Sequence, residues 1–156
     1  MLPKVSTSVD KISNDKGLLY LLEIEVEGNL VQKIGVTKRK IEQRVCEIVT
    51  SYFKVWRYFP YVRPKRFRHV DEVFSKEAML LNFFKDYKVN VTKPFSGSTE
   101  LVNVDNLDFI VNVYEEVVKN GEISENSEKQ RREDLAKKKA ETVTKWTTVA
   151  NRYDIT

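Results

Sequence analysis

One carboxylate stands where a carboxylate is expensive. At about 100° per residue, Val73, Phe74, Leu80, Leu81, Phe84 and Tyr87 fall on one stripe of a helix expected over residues 71–87, and Glu77 lies near the middle of that stripe. An unpaired charge among apolar side chains costs stability. Glu77 must therefore open onto a cleft, or meet a cation: Arg44, or a metal ion. A hard oxygen ligand of this kind suits a divalent cation. Two basic clusters add a second chemical theme. Lys38-Arg39-Lys40 precedes one helix, and Arg63, Lys65, Arg66 and Arg68 follow an aromatic segment, with Tyr61 and Phe67 interleaved. Guanidinium and ammonium groups of this kind grip phosphates, and the aromatic rings between them can stack on a base. If both clusters flank one cleft, double-stranded DNA is the natural partner, with affinity that falls steeply with salt.

These residues need elements to hold them. Two apolar runs flank Gly28-Asn29, a pair suited to a tight hairpin turn, so strands are expected from about Leu18 and Leu30. A two-residue turn at that pair sets Lys33 across from Ile24, on the face of Tyr20; a wider loop brings the two closer. Thr37 is a good N-cap type, and a first helix is expected over residues 38–51 on the apolar positions Ile41, Val45, Ile48, Val49 and Tyr52. Residues 54–62, dense in aromatic and β-branched types, read as a third strand with Pro60 at an edge or end, and residues 63–69 as a basic loop. After the Glu77 helix, residues 88–100 read as loop and 101–104 as a short extended piece. Asp105 is the expected N-cap of a further helix carrying Leu107, Ile110, Val111, Tyr114, Val117 and Val118, closed by Asn120-Gly121. The expected fold is α/β in the α+β sense, a small three-stranded, mainly antiparallel sheet flanked by helices, with a helical C-terminal extension.

Composition sets the outer bounds. The chain has 156 residues, 41% of them hydrophobic, and 27 Lys and Arg against 23 Asp and Glu give a net charge of +4, which is compatible with a polyanionic partner. One core and a tail are expected: a lead-in over residues 1–16, a domain over 17–121, and a charged helical linker over 122–156. The final residues, 146–156, resemble the start of a helix-turn-helix unit with Ala150 at the crossing and a turn near Asp154. No run reaches the roughly 18 apolar residues of a membrane span, and residues 1–16 lack the apolar core of a secretory signal, so an intracellular, cytoplasmic protein is expected. Cys46 is the only cysteine, which excludes an internal disulfide and a thiolate metal cluster; it is expected on the inner side of the first helix.

With the elements in order, residues 17–77 resemble the GIY-YIG nuclease family, in its phage and bacterial branch with Lys-Ile-Gly as second motif. The resemblance is carried by Gly17-Leu18-Leu19-Tyr20, by Lys33-Ile34-Gly35, by Arg44 on the first helix and by Glu77-Ala78-Met79-Leu80-Leu81 with Phe84 on the second; Ser98-Thr99-Glu100-Leu101 resembles the branch's closing segment. It implies a DNA endonuclease using one metal ion, Mg²⁺ or Mn²⁺. Tyr20 would activate or orient the attacking water, Arg44 bind the phosphate and Glu77 hold the cation, while Lys33 stands where most members have a tyrosine and would bind phosphate or act as a base. Ile48 and Leu81 replace histidines found in the family, and the single histidine, His69, lies in the basic segment. These departures leave a second expectation open, a nuclease-like domain that binds nucleic acid or a protein without turnover.

Overall fold

The computed structural model describes residues 15–153, which divide between Glu122 and Ile123 into two compact units. The first is α+β. Strands β1 (Lys16–Val26), β2 (Asn29–Thr37), β3 (Val62–Asp71) and β4 (Leu101–Val102) form an antiparallel sheet in the order β3-β1-β2-β4. Helices α1 (Ile41–Trp56), α2 (Val73–Phe83) and α3 (Leu107–Asn120) accompany it. The sheet thus gains a fourth strand from the short extended piece, through Gln32↔Val102 and Lys33↔Leu101.

The alternation of β1 sorts the core into two faces. Leu18, Tyr20, Leu22 and Ile24 join Ile41, Ile48 and Tyr52 of α1, with Phe95 and Leu101 completing the cluster. Leu19 and Leu21 point the other way. On that side the Tyr114 hydroxyl of α3 donates to the Leu19 carbonyl at 2.6 Å, and Phe109 meets the rings of Phe83 and Phe84.

The hairpin turns one residue earlier than expected. Val26 pairs with Asn29, so the two loop residues are Glu27 and Gly28, both at positive φ. A two-residue turn with both residues left-handed matches the twist of the strands, and glycine takes that geometry without strain. The shift places Lys33 across from Leu22 and Gly35 across from Tyr20.

The largest correction concerns residues 54–62. Only Val62 among them lies in a strand: Tyr52, Val55 and Trp56 continue the apolar stripe of Ile41 and Ile48, so α1 runs on to Trp56, with the Tyr52 and Trp56 rings stacked at 6.0 Å. Arg57 then takes the left-handed conformation and its amide closes the helix on Phe53 O. The third strand is instead the basic segment, which pairs with β1 as an edge and leaves its long side chains in water. The same helical geometry corrects Cys46, which sits well over 90° around the helix from the buried stripe and is exposed. Thr37 does not cap α1; its Oγ1 accepts from the Arg39 amide at 3.1 Å, and Lys40 holds the cap position without a side-chain bond.

Asn106, not Asp105, caps α3, accepting the Phe109 amide on Oδ1 at 3.3 Å. Gly121 ends that helix in the left-handed region, where a side chain would be strained. Because the Asn106 cap satisfies an otherwise orphaned amide, Asn106→Ala should lower stability by about 1 kcal/mol, read as a shift in urea midpoint with an unchanged slope.

The second unit is helix α4 (Glu125–Tyr153). Ser124 opens it, its Oγ accepting the Ser127 amide at 3.2 Å, and Glu128 pairs with Arg131 at 3.1 Å. The turn expected near Asp154 lies outside the described residues, as do residues 1–14 of the expected lead-in. Among the described residues no helix is long and apolar enough to cross a membrane.

Candidate active site

Four elements converge on one cluster. Tyr20 lies on β1, Lys33 on β2, Arg44 on α1, and Glu100 immediately before β4, where the pairing of Leu101 with Lys33 brings its carboxylate to the lysine. Lys33 Nζ donates to Glu100 Oε2 at 2.7 Å and stands 5.9 Å from the centre of the Tyr20 ring. Arg44 Nε donates to the Tyr20 hydroxyl at 3.1 Å, while Arg44 Nη1 pairs with Glu47 at 3.3 Å. Glu47 also binds Arg39, so one carboxylate ties two arginines on the outer flank of α1.

Two glycines make the cluster possible. Gly35 lies under the Tyr20 ring: a Cβ there would come within 2.3 Å of the hydroxyl oxygen. Gly97, at φ +88°, lies on Lys33 and Arg44, where a Cβ would approach Lys33 Cε to 2.6 Å and Arg44 Nη2 to 3.3 Å. The Gly97 segment is itself pinned to α1. Phe95 packs edge-on against Tyr52 with centroids 5.0 Å apart, and the Ser96 amide donates to Ser51 Oγ at 2.7 Å.

The cluster has two layers. Tyr20 and Lys33 are sealed, each 0% exposed, whereas Glu100 is 33% and Arg44 17% exposed at the side chain. Burial pushes the Tyr20 phenol up, with the Arg44 hydrogen bond and charge pulling the other way, so the resting group is the neutral phenol. Burial likewise lowers Lys33 against the pull of Glu100.

Glu77 is half-buried on α2, and the charges acting on it are those of Glu100 and Lys33. Its carboxyl is raised above the usual carboxylate range, first by burial and then by the Glu100 charge, with Lys33 opposing. Arg44 is not its partner, being taken by Tyr20 and Glu47, and among the described residues Glu77 makes no hydrogen bond or ion pair. The apolar stripe around it is narrower than the periodicity suggested: Val73, Leu80 and Phe83 are buried, while Phe74 is exposed at α2's first turn with Lys38 Nζ 6.0 Å from its ring centre.

The basic clusters do not line one cleft as a set. Arg66 and Arg68 of β3 reach Glu115 of α3 at 3.2 and 3.6 Å, and Lys65 reaches Glu23 at 3.6 Å. Arg63 is exposed at the start of the same strand, while Lys38, Arg39 and Lys40 sit at the entry to α1. The register explains the division. Phe67 pairs with Tyr20 and shares its face, so the arginines on either side of it point to the α3 face. His69 is an exposed strand residue. Sequence reasoning assigned no role to Glu100, Gly97, Gly35 or Glu47. Only Glu47, three residues after Arg44 on the same helix, carried a local signal.

Comparison with known families decides the kinship: the model of the T5orf172 domain matches residues 17–121. The chain belongs to the T5orf172 domain family. The matched span ends at the glycine that stops α3 and takes in the whole sheet and cluster. This corrects the resemblance to GIY-YIG nucleases: the family matched is T5orf172, and a few short segments in order are too little sequence to have fixed it. Membership of T5orf172 supports the coarse reading, a nuclease-like or DNA-binding domain. No curated protein and no solved structure matches the chain.

Proposed function

We propose that this T5orf172 domain is a metal-dependent endonuclease hydrolysing phosphodiester bonds in DNA. The observation that carries the reading is Glu77: a half-buried carboxylate, without an ion pair among the described residues, beside a second carboxylate and the Arg44 cluster. Lys33 offsets that charge only in part, and a cation would offset the rest.

Mg²⁺, or Mn²⁺, is the cation these residues would hold: Glu77 and Glu100 offer hard carboxylate oxygens, the ligand type such ions take. When bound, the ion supplies positive charge to the scissile phosphate and acidifies a coordinated water. The protein's residues do the rest. Arg44 binds a non-bridging phosphate oxygen, with Nη2 beside Gly97 left for it while Nε and Nη1 are held by Tyr20 and Glu47. Tyr20 is a positioning residue that fixes the guanidinium from beneath. Lys33 positions Glu100, and its buried ammonium keeps the two carboxylates from repelling each other outright.

Plasmid nicking in Mg²⁺ tests this. Wild type should nick and Glu77→Ala should not; equal rates for both would end the proposal. Glu77→Gln separates chemistry from folding. A carboxyl with a raised folded pKa contributes stability that is fully present below the ordinary carboxylate range and is lost as pH rises through the folded value. Once its carboxyl ionises the wild type has lost it, and glutamine cannot ionise. Glu77→Gln should therefore melt no lower than wild type at neutral pH while failing to cleave, a trade of stability for function. As pH falls, cleavage by wild type should accordingly fade sooner, at a higher pH than an ordinary carboxylate would dictate.

One observation favours a second reading, a domain that binds nucleic acid or a protein partner without turnover. Neither Tyr20 nor Lys33 reaches solvent, so neither can take a proton from water in this conformation. Salt-sensitive DNA binding with no cleavage in Mg²⁺, Mn²⁺ or Ca²⁺ would select it.

A further inference from the structure

The sheet face that carries Tyr20 is not covered across its full width. Helix α1 lies over β1 with Ile41, Ile48 and Tyr52 inward, and between its flank and the edge strand β3 a slot remains open. Pro64 and Phe67 line its β3 side, and Ile41, Val45 and Val49 line its α1 side. It runs into a second cleft of about 630 Å³ that shares Ile41, Glu42 and Phe67 and ends at Lys40 and His69. Phe67, a large ring 49% exposed in the middle of a strand, is in register with Tyr20.

We infer that this slot holds one unpaired nucleobase of the substrate strand, stacked on Phe67. The inference rests on the nucleic-acid reading above and adds to it the state of the substrate. Three features favour a base over another apolar occupant. An aromatic face opposite an aliphatic wall suits a flat ring. Glu42 lines the slot, and a carboxylate accepts the pairing-edge amino and imino hydrogens that a base frees only when it leaves its pair. Lys40, last of the Lys38-Arg39-Lys40 run, brings positive charge to the mouth, where the phosphates on either side of that base would lie. A base inside a continuous duplex cannot enter, so the substrate is a single strand or a duplex with an extruded nucleotide.

Binding of the full chain to labelled oligonucleotides, in chelator so that no cleavage occurs, tests the slot apart from the chemistry. Four probes are needed: a single strand, the same strand with one abasic position, a perfect duplex, and a duplex with one bulged base. Wild type should bind the single strand or the bulged duplex about tenfold more tightly than the perfect duplex; which of the two leads tells whether the base comes from a free strand or is extruded. Phe67→Ala should remove the preference and Phe67→Trp keep it, both melting like wild type because the ring is half-exposed. Equal affinity for all four probes, no binding to any, or an unchanged preference in Phe67→Ala would each overturn the inference. Glu77→Ala should retain the preference, so loss of cleavage and loss of base recognition are read separately.

Discussion

Replacing Glu100 by alanine is expected to be the most destabilising single change at the site, costing about 3–5 kcal/mol. The reason is an asymmetry within one ion pair. Lys33 is wholly buried whereas Glu100 is 33% exposed, so removing the carboxylate strands an ammonium with no route to water. Removing the ammonium strands a carboxylate that can turn outward. Lys33→Met should therefore cost less than Glu100→Ala, since the carboxylate it leaves behind can reach water. The pH dependence follows from the same imbalance. Burial already holds Lys33 below the ordinary lysine value against the pull of Glu100, and loss of Glu100 lowers it further. Between that folded value and the ordinary one, the unfolded chain binds a proton that the native state does not, so Glu100→Ala should gain stability as pH rises through that interval. Urea midpoints at pH 7 and pH 10 read both effects. Equal losses for Glu100→Ala and Lys33→Met would show that the pair is not organised this way.

The second large effect is expected from one methyl group. Gly35→Ala puts a Cβ within 2.3 Å of the Tyr20 hydroxyl and 2.5 Å of Cζ, and the ring, 0% exposed, has nowhere to go. Overpacking of this kind costs about 1–3 kcal/mol, and the displaced ring also loses its hydrogen bond to Arg44. Cleavage should fall more than stability, because the guanidinium loses its rest. A double-mutant cycle with Tyr20→Leu isolates the cause. If the clash is with the ring, the double variant unfolds at a higher denaturant concentration than the sum of the two losses predicts; simple additivity would refute it.

Much of this arrangement was legible in the chain. The hairpin, the strand alternation that sets Tyr20 and Lys33 on one face, and the cost of Glu77 all come from periodicities of two and 3.6, which act over a few residues. Residues 54–62 misled because Tyr52, Val55 and Trp56 satisfy a helical stripe while Tyr58, Phe59 and Tyr61 also suit a strand, and local propensity does not arbitrate between them. β3 was hidden for the opposite reason: an edge strand half in water need not be hydrophobic, so arginines and lysines occupy it. Glu100 was marked only as part of Ser98-Thr99-Glu100-Leu101, and nothing local tied it or Gly97 to Lys33. Their place depends on a two-residue strand pairing with β2, joining Lys33 to a carboxylate 67 residues away. Glu77, singled out by its own helix, needed no such pairing to be noticed; its true neighbours did.

The outer rim of β3 has one more consequence. A terminal strand offers its free amides and carbonyls to any other extended chain, and unguarded rims are where copies of a protein add to one another into ribbons. Here the rim carries Arg63, Lys65, Arg66 and Arg68, the register slips opposite Leu21 and Leu22, and Pro64 supplies no amide hydrogen. A second copy brought alongside would meet like charges, a kinked ladder and a missing donor. The same cationic strand that lines the open slot beside α1 thus discourages the domain from polymerising through its own sheet.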